Sequence, residues 1–394
     1  MVENNYIESM TILQDLKPCV LLTTGRTGSD FIQSLMDSHT EILTFNGILF
    51  FHDYWNDSKC NKTTPINLND LLDEFIGKNI EKFKSKYDFI ERKDALGDDG
   101  NQSIDINLKV FKQGVHGLLE NFEITSKNFM LAIYGAYAIC LGQDITKKSI
   151  FVHHLHHASL LPEYLSDFPD SMIIGMTRDP RANFVSGILH HRKYNKASDD
   201  ASHLYFYINR IILDSYSFSH LSNKSITIRI EDLGDKCILQ SLCNWLGVSY
   251  EKSLEYSTWG GLRWRGDRLS NNSSKTSGFS KKMLENSWDN ELSPLDLYLF
   301  NFLLNDRLIH YGYKHNKTHF YDYFFIIFVI LMPLRFELRF FSFQYLKEKA
   351  NKNDFKVLIL NFIYYPLRVL SLYRVYFKKL YGFKFKSDFL ACKK

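Results

Sequence analysis

Short apolar runs recur along the chain at residues 19–22, 150–152, 172–176 and 226–230, and helical patterns of apolar and polar positions separate them. Runs of that length suit buried strands, and strands alternating with helices predict a parallel sheet with helices on both faces. After residues 18–22, the spacing of Phe31, Ile32, Leu35 and Met36 predicts a helix. After 171–177, Asp179 suits an N-cap and Pro180 the first helical position, so a second helix is expected from there through Leu189. A strand at 149–152 precedes a helical pattern through Leu160, Leu161 and Leu165, and one at 226–230 precedes an amphipathic stretch through Leu242, Trp245, Leu246 and Gly247. Residues 128–141 read as a helical run, and Ser293-Pro294 opens a helix ending near His310. The rest of 52–148 reads as irregular, with an acidic and polar stretch around 94–105.

The turns behind the first and third of these strands carry chemistry. Thr23-Thr24-Gly25-Arg26-Thr27-Gly28-Ser29-Asp30-Phe31 joins a strand to a helix through two glycines, an arginine and several hydroxyls. Such a turn presents backbone N–H groups and a helix N-terminus to an anion. It is an incomplete P-loop. A triphosphatase loop carries G-x-x-x-x-G-K-[ST], whose lysine reaches the outer phosphates and whose hydroxyl holds magnesium. Here Gly28 is followed by Ser29 and Asp30, and the cation, Arg26, precedes the second glycine. The bland alternative is an ordinary strand-to-helix turn. Arg178 ends the third strand and Ser186 lies about two turns along the helix behind it. In an open α/β sheet ligands bind at that carboxyl edge; the alternative is that Arg178 pairs with Asp179 or another acid and Ser186 faces a helix neighbour. His153, His154, His156 and His157 crowd into five residues. Three readings stand: a metal site, for which no second ligand group has a recognisable spacing, partly exposed loop histidines, or a general base at the mouth of the sheet.

Arg26-Thr27-Gly28-Ser29 resembles the loop of nucleotide-dependent sulfotransferases, which place a lysine or arginine, a small residue, glycine and hydroxyl residues there. Arg178 and Ser186 resemble, in type and eight-residue spacing, the pair with which that family holds the 3′-phosphate of 3′-phosphoadenosine 5′-phosphosulfate (PAPS). Residues 227–233 resemble the family's strand ending in R-Y-E-D-L, with Ile230 in place of the tyrosine that would reach the adenine. Arg263-Trp264-Arg265-Gly266-Asp267, then Gly278 and Trp288, looks like the late loop that closes over the nucleotide in glycan-type members. The resemblance runs from Pro18 to Tyr313. It implies an α/β, P-loop-like three-layer fold with a central parallel sheet flanked by helices, plus a C-terminal helical appendage. It implies that Arg26, Thr27, Gly28, Ser29, Asp30, Phe31, Arg178, Ser186, Arg265 and Gly266 bind PAPS. Asp30 departs from the threonine usual in relatives, because a carboxylate beside a phosphate is unfavourable unless it turns away or caps the helix. His156 stands twenty-two positions before Arg178, similar to the catalytic histidine of cytosolic members, and His154 takes the place of their lysine. The resemblance thus implies His156 as base, with His154 or a carboxylate as alternatives. Arg26 would supply charge to the leaving phosphate, since arginine stays protonated at working pH, and the scheme calls for no metal.

The chain has 394 residues, 45% of them hydrophobic, enough for one large core or two smaller ones. A catalytic domain over 1–319, with 52–148 as an acceptor-side insertion, and an extension over 320–394 fit best. The six cysteines are scattered with no C-x-x-C pair, which points to a reducing compartment. The first twenty residues include Glu3, Glu8 and Asp15 and no long apolar run, so neither a signal peptide nor an amino-terminal anchor is expected, and the location reads as cytoplasmic. Residues 320–394 hold 14 Lys and Arg against 5 Asp and Glu, a net of +9, so the remainder is near −5 for a total of +4. The apolar run at 323–334 is too short to span a bilayer. Residues 354–386 mix apolar side chains with Lys356, Arg368, Arg374, Lys378 and Lys379, a composition suited to a helix lying at an anionic membrane surface, peripheral at its inner face. A basic cap on the core or an oligomer interface is the alternative, and nucleic-acid binding is not expected because no recognised motif accompanies the charge. The sequence therefore reads as a PAPS-dependent sulfotransferase acting on a hydroxyl of a carbohydrate or glycolipid. Its rivals are a magnesium-dependent nucleotide kinase and a non-catalytic nucleotide-binding protein at a membrane.

Overall fold

Five strands, β1 (Lys17–Leu22), β2 (Ile42–Leu43), β3 (Ile150–Leu155), β4 (Met172–Thr177) and β5 (Ser225–Arg229), form one sheet in the order β2-β3-β1-β4-β5, all parallel. The computed structural model describes residues 2–23, 25–63, 65–84, 96–156, 158–194, 201–217, 224–265, 278–280, 288–382 and 390. Purely parallel sheets are covered on both faces, so their strands read as continuous apolar runs. Four consecutive residues of β1 and all six of β3 are buried, and helices flank the sheet. Because β3 and β4 lie on opposite sides of β1, the strand order switches there, and a crevice is expected at the carboxyl ends of these three strands.

Most expected elements are present within a residue or two. The exceptions have physical causes. β3 runs three residues past its expected end because its pairing with β1 continues through Val20↔His153, Leu21↔His154 and Leu22↔Leu155. His153 and His154 are therefore buried strand residues, not exposed loop histidines. β2 spans only two residues, too few to leave a pattern. The stretch read as irregular contains helices at Phe51–Asp57, Leu68–Lys78 and Leu108–Leu119, the last two capped by Asn67 and Asn107, whose side chains accept first-turn N–H groups. The helix expected from Ser293 to His310 divides into Pro294–Leu303 and Asn305–His310 at Leu304. The break lets buried Arg307 donate to the Ile211 carbonyl (3.1 Å) and to Thr177 Oγ1 (3.0 Å) at the end of β4.

Two apolar cores form. The first joins the sheet to the amino-terminal helix Val2–Asp15 and to Leu108–Leu119, Ser126–Cys140 and Lys236–Leu246. The second joins Phe184 and Ile188 of Pro180–Tyr194, Leu204 and Ile208 of Ser202–Ser217 and the 294–313 region to the carboxyl-terminal helices Asp322–Leu331, Phe343–Asn351 and Phe355–Leu380. Cys19, Cys60, Cys140 and Cys243 carry free thiols, whereas Cys237 is disulfide-bonded, which counts against the reducing compartment suggested by the scattered spacing.

Candidate functional site

The loop behind β1 is held by its own hydroxyls. Thr23 and Thr27 share a hydrogen bond (Oγ1···Oγ1 2.7 Å), and the Gly25 N–H donates to Thr23 Oγ1 (3.1 Å). Three of its residues are left-handed: Gly25 (φ 87°), Arg26 (φ 56°) and Gly28 (φ 87°). For a side-chain-bearing residue that conformation costs about 1–2 kcal/mol, so Arg26 is held under strain of the kind found at functional sites. Gly28 precedes the Ser29–Met36 helix without a side-chain cap. It is pressed by Ile230, since a Cβ at Gly28 would lie 2.3 Å from Ile230 Cδ1. Ile230, standing where the resemblance expects tyrosine, thus closes the flank of the loop as an apolar wall. Thr27 and Ser29 are buried. Phe31 packs against Phe279 at 6.2 Å between ring centroids, so its ring serves packing.

Asp30 leans towards β3, where its Oδ1 lies 3.8 Å from His154 Nδ1. His154 itself is fully buried and hydrogen-bonded through Nδ1 to Gln33 Oε1 (2.7 Å). Gln33 Nε2 donates to the carbonyls of Phe45 (2.8 Å) and Gly47 (3.3 Å), so Oε1 must accept. This network assigns the proton of neutral His154 to Nδ1 and the basic lone pair to Nε2. His153 is different. It pairs with the Tyr134 hydroxyl (2.9 Å) and stacks on Tyr164, and burial pushes its pKa well below the ordinary histidine range. It is a neutral core histidine. His156, half-buried just past β3, lies 6.0 Å from the His154 ring and edge-on to Phe50 at 6.5 Å. His157 lies outside the described residues.

Arg178 is buried at the end of β4. Burial lowers its pKa, the neighbouring charge of Arg26 lowers it further, and Glu231, Tyr313 and Asp179 act in the opposite sense. Glu231 accepts the Asp179 N–H and the Tyr313 hydroxyl, each at 3.1 Å, and burial raises its pKa. The Asp179 carboxylate takes three hydrogen bonds from Arg181, one from its backbone N–H (3.0 Å) and two from its guanidinium (2.9 and 2.6 Å), which fixes the start of the helix. Ser186 is half-buried on that helix. Arg265 does not turn to the loop: its side chain donates to the Asp98 carbonyl, and the adjacent Arg263 pairs with the Asp98 carboxylate (3.3 Å). Gly266 and Asp267 lie outside the described residues.

Two participants were not anticipated from the sequence, Gln33 and Arg210. Arg210, on the Ser202–Ser217 helix, lays its guanidinium over Gly25, where a Cβ would meet Nη2 at 2.8 Å, and it also reaches the His156 carbonyl (3.5 Å). Arg26 and Arg178 lie close enough for their charges to interact, and Arg210 comes from a helix over the adjacent Gly25. No sequence signal marked the place of Arg210 at the loop, because Gly25 and His156 are both more than fifty residues away, although its guanidinium also lies over the Phe206 ring on its own helix (5.4 Å). His39, Glu41 and Glu251 also lie together, but both ring nitrogens of His39 are engaged, by the Ser249 carbonyl (2.9 Å) and the Glu41 N–H (3.1 Å). That grouping joins two chain segments by hydrogen bonds.

No protein-family model matches the chain, and no curated protein matches it. Among solved structures the chain is similar to the sulfotransferase domain of the Synechococcus PCC 7002 olefin synthase (15% identity, TM-score 0.40, 71% of this chain and 90% of that one). It is also similar to the sulfotransferase domain from the curacin biosynthetic pathway (16%, 0.40, 76% and 99%) and to sulfotransferase STF9 from Mycobacterium avium (10%, 0.33, 64% and 70%). At these identities and TM-scores, the functional reading rests on the residues of the site.

Proposed function

We propose that this chain is a sulfotransferase that moves a sulfuryl group from PAPS to a hydroxyl of a carbohydrate or glycolipid. The observation that carries the reading is the convergence of Arg26 and Arg178 beside a left-handed glycine loop that lacks the Walker lysine. Arginines beside a loop of backbone N–H groups suit a ligand carrying phosphates, and the donor brings phosphates at both ends of its ribose. Thr27, Gly28 and Ser29 suit the 5′-phosphate through N–H and hydroxyl groups, and Arg178 with Ser186 suits the 3′-phosphate.

The transfer breaks the bond from sulfur to the donor's phosphate oxygen and forms one from sulfur to the acceptor oxygen. Arg26 balances the charge that grows on the leaving phosphate. The acceptor's proton passes to a histidine, for which His156 at the rim is the first choice and His154 Nε2 the second. Asp30 lies beside that second candidate, its Oδ1 3.8 Å from His154 Nδ1. The carbohydrate class rests on the sequence resemblance alone.

The test is sulfate transfer from labelled PAPS to a glycan and glycolipid panel, with calorimetric titration of 3′-phosphoadenosine 5′-phosphate. Arg178→Ala should weaken nucleotide binding by about 1.5–3 kcal/mol, the worth of a charge-assisted contact. Unchanged affinity would remove the 3′-phosphate assignment, and metal-dependent ATP turnover without sulfate transfer would replace the whole reading by a kinase.

A further inference from the structure

Nineteen of the 27 exposed large hydrophobic side chains among the described residues fall between Phe320 and Tyr381, so one region carries most of the apolar surface left in water. Scattered exposed hydrophobics are normal, but a contiguous patch marks an interaction site. Contiguity is visible here. Phe341 packs on Phe362 (6.1 Å) and Tyr365 (5.5 Å), and the Tyr365 hydroxyl donates to the Leu331 carbonyl, so the exposed stripes of Asp322–Leu331 and Phe355–Leu380 meet.

The Phe355–Leu380 helix is apolar on two sides. One side, with Val357, Val369, Leu372 and Val375, lies in the second core. The other presents Phe355, Ile359, Phe362, Leu370 and Phe377 to solvent at helical spacing. Length and hydropathy alone would let this helix cross a bilayer. Its buried polar groups argue otherwise. Arg368, 1% exposed, donates to Glu337 (3.0 and 2.7 Å) and to the carbonyls of Ile330 (2.5 Å) and Met332 (3.0 Å), while Asn361 accepts the Ala201 N–H (2.7 Å). Spanning would strip these groups of partners in hydrocarbon, so the helix stays docked on the protein.

We infer that this face binds the surface of an anionic lipid bilayer, with the Phe355–Leu380 helix lying flat and its outer stripe inserted among the acyl chains. The charge selects the occupant. Lys356 stands exposed at one end of the stripe and Arg374 and Lys378 at the other, within a segment of net +9. Aromatic and aliphatic insertion flanked by cations is the signature of an interfacial helix on anionic lipid. A second copy of the chain would set two such cationic faces against each other. The inference stands independently of the sulfotransferase reading.

Flotation of the full chain with vesicles of phosphatidylcholine, and of phosphatidylcholine mixed with phosphatidylserine, tests it. The chain should float with the mixed vesicles and bind at least about tenfold more weakly to the zwitterionic ones, with binding reduced by salt. Phe362→Ser/Phe377→Ser should abolish flotation. Lys356→Glu/Arg374→Glu should keep the fold and lose the preference for anionic lipid, which keeps the test decisive should the serine variant misfold. A chain that remains unbound with both vesicle types overturns the inference. So does self-association in light scattering that the serine variant abolishes, because the face would then be an interface between copies.

Discussion

Replacing Gly28 by alanine measures how tightly the loop behind β1 is fixed. The residue has φ 87°, and an added Cβ would lie 2.3 Å from Ile230 Cδ1, 2.7 Å from Cγ1 and 3.2 Å from Cβ. The left-handed conformation contributes about 1–2 kcal/mol of strain, and overpacking a buried contact adds about 1–3 kcal/mol. Gly28→Ala should therefore cost roughly 2–5 kcal/mol of stability. Ile230→Ala alone should cost about 2–5 kcal/mol by leaving a cavity. In the double variant both clashing atoms are gone and only the contact to Cβ remains. The two losses should then fall short of additivity by about 1–3 kcal/mol. Urea midpoints of the four chains, compared at equal m, give the coupling directly. Additivity to within about 0.5 kcal/mol would refute the seating of Ile230 on Gly28.

His156→Ala should slow sulfate transfer by about 10²–10⁴ with nucleotide affinity intact in calorimetry; full activity would pass the role to His154, and Gln33→Leu should then cost rate by releasing the His154 tautomer. Arg368→Met should destabilise by about 3–5 kcal/mol because Glu337 stays buried without its partner, and Arg368→Met/Glu337→Leu should regain most of that in urea unfolding; a single variant as mild as a surface substitution would contradict the buried pair. Burial lowers the Lys148 ammonium from its ordinary 10.5 to about 8, although it donates to the His39 and Ile42 carbonyls. Between those values the unfolded chain binds more protons than the native one, so this contribution to stability rises with pH and is lost as pH falls through about 8. Lys148→Met should flatten that rise in urea midpoints measured across the window, and an unchanged slope would assign it to another group.

The sequence revealed the parts of the site whose reasons are local. The loop behind β1, Arg178 at the end of β4 and the helix opening at Pro180 all follow from a strand, a turn and a cap within a dozen residues. What it concealed depends on partners far along the chain. Two histidines sit inside a strand where Tyr134 and Gln33, 19 and 121 residues away, each engage one ring nitrogen; by themselves they read as loop residues, because an unpartnered buried imidazole is costly. The break before His310 was equally hidden, since the acceptors of buried Arg307 behind it, the Ile211 carbonyl and Thr177 Oγ1, lie 96 and 130 residues earlier.

Asp30 brings the two kinds of reason together. Read locally, a carboxylate in the first turn of the Ser29–Met36 helix fits poorly with the phosphate site proposed above, since its charge would oppose the ligand's. The fold turns it to His154 on the adjacent strand, a neighbour set by the β1–β3 register that no spacing in the sequence announces. The residue that fits an anion-binding loop least is thus placed by a contact that only the fold creates.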